Sequence, residues 1–140
     1  MRPCIVAVGK VKKSWIRDGI QDYRKRLPEL QITEVKDSTP DKEAQKILSL
    51  LPSHRHIILL SEWGKPMDSI AFANFLQPFG ADPVLFIIGG PDGVTNDVSR
   101  QAQHRLSLSP MTFTHEMARL FLVEQLYRAK SIWQNTGYHR

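Results

Sequence analysis

With one cysteine, Cys4, among 140 residues, the chain has no disulfide framework and no pair of thiols to hold a metal. Cys4 lies in the apolar run CIVAVG, the place of a small buried hydrophobe rather than a reactive thiol, and one cysteine fits a reducing compartment. No apolar run approaches the roughly 18 residues of a membrane span. The stretch after Arg2 stops at Gly9 and Lys10, too short for a signal-peptide core. These absences predict a cytoplasmic protein with no membrane partner. Repeats, low-complexity tracts and linkers are also missing, so residues 1–140 read as a single domain, which at this length buries about two-thirds of its unfolded surface.

Charge is present, and unevenly placed. Of the net +5, all resides between Lys10 and Arg26, where seven basic residues face Asp18 and Asp22; the remainder of the chain balances. A basic segment on a neutral body points to a polyanion, with nucleic acid first, or to a solvated helix face. Lys10, Lys12, Lys13, Arg17 and Arg24 are its candidate RNA-binding residues.

Apolar periodicity gives the architecture. Strands are expected at 4–9, 31–35, 56–61, 84–88 and 105–109. Helices are expected from about Ser14 (Ile16, Ile20, Tyr23 and Leu27 on one stripe), from Ser38 or Thr39 with Pro40 at the first helical position, and over 68–79, 95–103 and 115–134. HIILLS and VLFII are apolar on both faces, which argues for an α/β fold with a mainly parallel sheet covered by helices on both sides. Ligands of such sheets gather beyond the carboxyl ends of the strands. The final helix is apolar nearly all round, through Leu120, Phe121, Leu122, Val123, Leu126 and Tyr127. That surplus predicts either a second copy packed against it, a homodimer, or a helix sunk within its own domain.

FIIGGPDGV, residues 86–94, is a buried strand running into a glycine turn. It lacks the Gly-Lys-Ser/Thr ending of a phosphate loop and the spacing of a dinucleotide fingerprint. Two other loops leave strands at the same edge, SEWGKPMDS after the third and SPMTFT after the fifth. None carries triphosphate or metal apparatus, so the ligand they imply is held mainly by backbone. The five histidines have no zinc spacing; His54 and His56 read as a solvated loop and strand start, and His104 as a helix end. His115 and His139 are candidate bases near neutral pH. Composition alone predicts a disordered tail at Tyr138, His139 and Arg140.

VAVGK at 6–10, GK at 64–65, FIIGGPDG at 86–93, LSLSPMTFTHEMAR at 106–119, EQLYRA at 124–129 and the terminal YHR stand in the order and at the separations of a known family. Over essentially its whole length the chain resembles the small bacterial SPOUT methyltransferases that modify pseudouridine at N3 in large-subunit ribosomal RNA. The resemblance implies a C-terminal deep trefoil knot, a homodimer joined through the C-terminal helix, no metal, and ribosomal RNA or the ribosome as partner. It implies S-adenosyl-L-methionine as methyl donor, held by Leu60, Gly90, Ser109, Pro110, Met111, Thr112, Phe113 and Thr114. The family has proline where this chain has Thr114. By the same resemblance the catalytic group is the tail: His139 takes the N3 proton or stabilises the anion, with Tyr138 and Arg140 orienting the base or neutralising charge. The alternatives are a non-catalytic RNA-binding module of the same fold, or a nucleotide hydrolase, for which Lys65 has no partner carboxylate at convincing spacing.

Overall fold

The computed structural model describes residues 1–53 and 56–140. The loop expected at His54 lies outside the described residues. Along the chain run β1 (Arg2–Val8), α1 (Ser14–Arg24), β2 (Gln31–Val35), α2 (Pro40–Leu50), β3 (His56–Pro66), α3 (Ser69–Leu76), β4 (Pro83–Ile88), α4 (Asn96–Gln101), β5 (His104–Ser107) and α5 (His115–Gln134). The sheet has the order β2-β1-β4-β3-β5, and each of these neighbouring pairs is parallel.

The apolar strands are buried on both faces because alternate side chains enter two cores. In β4, Val84, Phe86 and Ile88 point to the side covered by α1, α3 and α5, while Leu85 and Ile87 join α2 and α4 on the other. Helix starts follow local chemistry. Thr39, not Ser38, caps α2 by accepting from the Lys42 amide at 3.3 Å, with Pro40 first in the helix. Asp68 caps α3 by accepting from the Ala71 amide at 2.7 Å, so residue 68 begins the turn rather than the helix. His104 opens β5 instead of ending a helix, its ring edge-on to Phe75 at 4.9 Å. His56 does start a strand, and stacks on Phe79 at 4.0 Å.

The largest departure from the periodicity is β3, which runs on to Pro66. Leu106 of β5 pairs first with Leu60 and again with Lys65, because the intervening residues leave the ladder and return to it. At Gly64 the chain lies directly on the β5 backbone: a Cβ there would stand 2.7 Å from the Arg105 carbonyl carbon and 2.8 Å from Leu106 N. Only glycine permits that approach. An alternating pattern carries no sign of such a crossing.

α5 is seated between α1 and α3, and no residue from His115 to Trp133 is exposed. The Trp133 indole donates to the Ala73 carbonyl at 3.0 Å. Neighbouring helices of the same chain therefore take up part of the apolar surface from which a second copy was expected.

Candidate functional site

Loops from β1, β3, β4 and β5 meet at the carboxyl edge of the sheet. The glycine turn after β4 closes on itself, the Gly93 amide donating to the Gly90 carbonyl at 2.9 Å, with Gly93 at φ 75°. Gly90 lies against β1: a Cβ on it would come within 3.1 Å of the Val8 Cγ1. The helix beyond has six residues, and Thr95 already caps it by accepting from the Val98 amide.

The loop after β5 is shaped by hydroxyls. The Ser107 hydroxyl donates to the Ser109 carbonyl at 2.9 Å, and Ser109 Oγ accepts from the Met111 amide at 3.0 Å. The Thr112 hydroxyl bonds the Glu62 carboxylate, tying this loop to the outer part of β3. Thr114, where the family pattern has proline, caps α5 by accepting from the Met117 amide at 3.2 Å, so the departure keeps a helix start at the same place. Pro110, Met111, Thr112, Phe113 and Thr114 are exposed, Met111 to 75%. Leu60 is brought beside this loop by its pairing with Leu106; Gly90 sits two strands away, against Val8. A cavity of about 380 Å³ adjoins the loop, between Phe72, Leu106, Ser107, Phe121 and Gln125, and shares Phe113 with the predicted ligand residues.

The basic residues Lys10, Lys12, Lys13, Arg17 and Arg24 are all exposed. Arg17 and Arg24 stand on α1, and the loop that carries Lys10, Lys12 and Lys13 is held from below by α5. The buried Glu116 carboxylate accepts from the Lys12 and Lys13 amides at 2.9 and 3.1 Å. Arg119, 3% exposed, donates to Glu34 at 2.6 Å and to the Gly9 carbonyl at 3.0 Å. His115 also approaches Gly9, where a Cβ would stand 3.7 Å from its Nε2. The Lys13 amide, with that of Lys12, holds the Glu116 carboxyl below the usual carboxylate range against the opposing effect of burial. A depressed carboxylate stabilises the fold above its unfolded pKa and loses that contribution as pH falls through the folded value. Thermal melts between pH 7 and pH 3 are therefore expected to show a shallower acid decline for Glu116→Gln than for wild type. An identical decline would separate Glu116 from acid stability.

The tail is not disordered, contrary to its composition. Gly137 turns at φ 80°, and Tyr138 returns along α5 to lie edge-on to Tyr127 at 4.7 Å. Its hydroxyl donates to Glu124 at 3.0 Å, so it accepts from Tyr23 at 3.4 Å. Burial, then those hydrogen bonds, push the Tyr138 phenol well above its usual pKa, which keeps it a donor. Arg128 stacks over the Tyr138 ring at 4.7 Å and reaches His139 Nδ1 at 3.1 Å. Arg140 is exposed. The structure thus keeps Tyr138 and His139 together on α5 and sets Leu60 beside the strand that leads into Ser109–Thr114, with Gly90 two strands off, but holds the tail and the loop apart. From Thr114 to Arg128 is fourteen residues of helix, roughly 20 Å at 1.5 Å per residue.

Sequence reasoning assigned no role to Glu116, Arg119, Glu124 or Arg128, although each lies in a quoted motif. The only local signal was their spacing, i,i+3 and i,i+4 of opposite charge on one helix. Among the described residues no group of three or more His, Cys, Asp or Glu side chains could hold a metal, and no helix is long and apolar enough to cross a membrane.

The family model described as "Predicted SPOUT methyltransferase" matches residues 1–139. The chain is 55% identical over 136 residues to the ribosomal RNA large subunit methyltransferase H of Parasynechococcus marenigrum (strain WH8102), covering 97% of this chain and 94% of that one. Among solved structures, a probable methylase family protein from Haemophilus influenzae Rd KW20 superposes with a TM-score of 0.66 at 13% identity, over 99% of this chain and 70% of that one. The putative methyltransferase Lpg2936 from Legionella pneumophila, in complex with the bound cofactor SAM, gives 0.50 at 12% identity, over 93% of this chain and 66% of that one.

Proposed function

The chain belongs to the SPOUT methyltransferase family, and from that membership we propose that it is an S-adenosylmethionine-dependent methyltransferase of large-subunit ribosomal RNA whose target is N3 of a pseudouridine. The reading is carried by one juxtaposition: a loop of uncharged residues, Ser109–Thr114, exposed from Pro110 onward at the carboxyl edge of the sheet, and a histidine-bearing tail held away from it. S-adenosylmethionine, when bound, supplies a methyl group on a sulfonium that needs no metal to leave. Leu60, Gly90 and Ser109–Thr114 would hold it. They fit, because a flat heterocycle needs apolar faces such as Leu60, Met111 and Phe113, and a glycine where a side chain would crowd Val8.

Methyl transfer is an in-line displacement, so the chain must chiefly align N3 with the methyl carbon and exclude other geometries. The imide N3 is protonated at neutral pH, and the tail supplies the groups that deal with that proton and the charge it leaves. Within one chain those groups are too distant to act. The tail of a second copy would complete the site, and a homodimer is therefore part of the proposal.

The exposed basic segment is the RNA-backbone surface in this reading; its phosphate contacts position the substrate without reading sequence. Reversing Lys12, Lys13 and Arg17 to glutamate is expected to weaken RNA binding and to lower the slope of log affinity against log salt by roughly two. Filter binding across a salt series measures it, and an unchanged slope would remove the segment from the interface.

Mass-spectrometric mapping of ribosomal RNA from a strain lacking the gene tests the whole reading. One methyl group on a pseudouridine should disappear and return with the gene. An unaltered methylation map would refute it.

A further inference from the structure

The dock that holds the tail also fixes which nitrogen of His139 carries its proton. Arg128 Nη1 lies 3.1 Å from His139 Nδ1. A guanidinium has five donors and no acceptor, so Nδ1 must accept, and the neutral ring carries its proton on Nε2. The orientation of Arg128 is not free to reverse this. Its Nε and Nη2 both donate to Glu124 Oε1, at 3.0 and 2.5 Å, which raises the guanidinium pKa further and aims Nη1 at the tail. The same Glu124 oxygen takes the Tyr138 hydroxyl, and Gln125 donates to the other oxygen at 3.0 Å. The charged and titratable groups around the ring are thus Arg128 and Glu124 from α5, Tyr23 from α1 through Tyr138, and the neighbouring Tyr138 and Arg140.

We infer that Arg128 is a positioning residue that sets the His139 tautomer, so that His139 meets the target base as a hydrogen-bond donor through Nε2–H and not as the proton acceptor. The inference rests on the reading of the tail as the catalytic group. The N3 proton then passes to solvent water, leaving an anion whose charge spreads onto the carbonyl oxygens beside N3. Nε2–H stabilises that charge. The N3 electron pair forms the bond to the methyl carbon as the carbon–sulfur bond breaks, and its electron pair returns to sulfur, neutralising the sulfonium.

Long-range proton–nitrogen spectra of the histidine-labelled full-length protein at pH 8 read the tautomer directly, with His139→Gln assigning the signal. His139 should show a protonated Nε2 and a bare Nδ1 in wild type and in Arg128→Lys, and a mixture in Arg128→Met. A wild-type ring protonated chiefly on Nδ1 would overturn the inference. Turnover on ribosomes from the deletion strain gives the second readout. His139→Gln, which keeps an N–H donor but no base, should stay within about tenfold of wild type, whereas His139→Ala should lose about a hundredfold or more. Equal loss in both would overturn the donor role. So would a wild-type kcat that rises with pH and levels off near 6.5, the range of an ordinary histidine, since a donor leaves kcat rising beyond it. The spectra are taken on the free protein, so their failure removes the tautomer alone. Full activity in a chain without residues 138–140 would instead remove the reading of the tail beneath it.

Discussion

A chain ending at Gly137 is expected to fold and to bind S-adenosylmethionine as wild type does, yet to methylate ribosomes at least about a hundredfold more slowly. The three residues removed contact Tyr23, Glu124, Tyr127 and Arg128 on the outer side of α1 and α5, and none is in the buried core. Calorimetry with cofactor and single-turnover methylation separate the two properties. Normal turnover would discard His139 as a participant. The same truncation tests the two-copy site when it is paired with Met111→Lys, which sets a positive charge at an exposed position of the loop where a sulfonium is to bind. Neither variant alone should be active. Mixed dimers should recover roughly a quarter of wild-type activity, since half of random pairs are mixed and each then has one complete site. No recovery would place loop and tail of one chain in the same site.

Gly64→Ala is expected to destabilise the fold by about 3 kcal/mol or more, a loss of roughly 10 °C in Tm. The added methyl would meet Arg105 and Leu106 at 2.7 to 2.8 Å, and the atoms it meets are strand backbone that cannot swing aside. Gly19→Ala is the control. Gly19 lies inside α1, and the nearest atom to a Cβ there is Leu120 Cδ1 at 3.1 Å, the far end of a side chain that can move, so its stability should change by no more than about 1 kcal/mol. Equal melting temperatures for the two variants would show that β3 does not press on β5 as described.

What the chain disclosed in one dimension depended on distance along it. The strand–helix alternation, the two-faced strand 84–88 and the Thr39-Pro40 helix start are written in neighbouring residues, and the structure has each of them. The glycine turn was also legible. β3 was read five residues short because its last part returns to a strand some forty positions later, and no local pattern records that. The struts under the site are more distant still: Lys12 to Glu116 spans 104 residues, Arg119 to Glu34 spans 85, and Tyr23 to Tyr138 spans 115. A polar C-terminal tripeptide looks unstructured in composition because the aromatic and charged surface that orders it lies on other elements. Family resemblance supplied the candidate site residues that physics alone left as exposed loop and tail.

The seat of residue 64 on β5 sets an order of events during synthesis. Until residues 104–107 have left the ribosome, β3 has a neighbour on one side only, and its other edge is a bare row of amides and carbonyls next to the exposed Trp63. The nascent chain therefore passes through an interval with a sticky border along one side of its sheet, closed only by the last quarter of the polypeptide. The segment that covers this edge, residues 104–107, is thus also what shields the chain from association while it is being made.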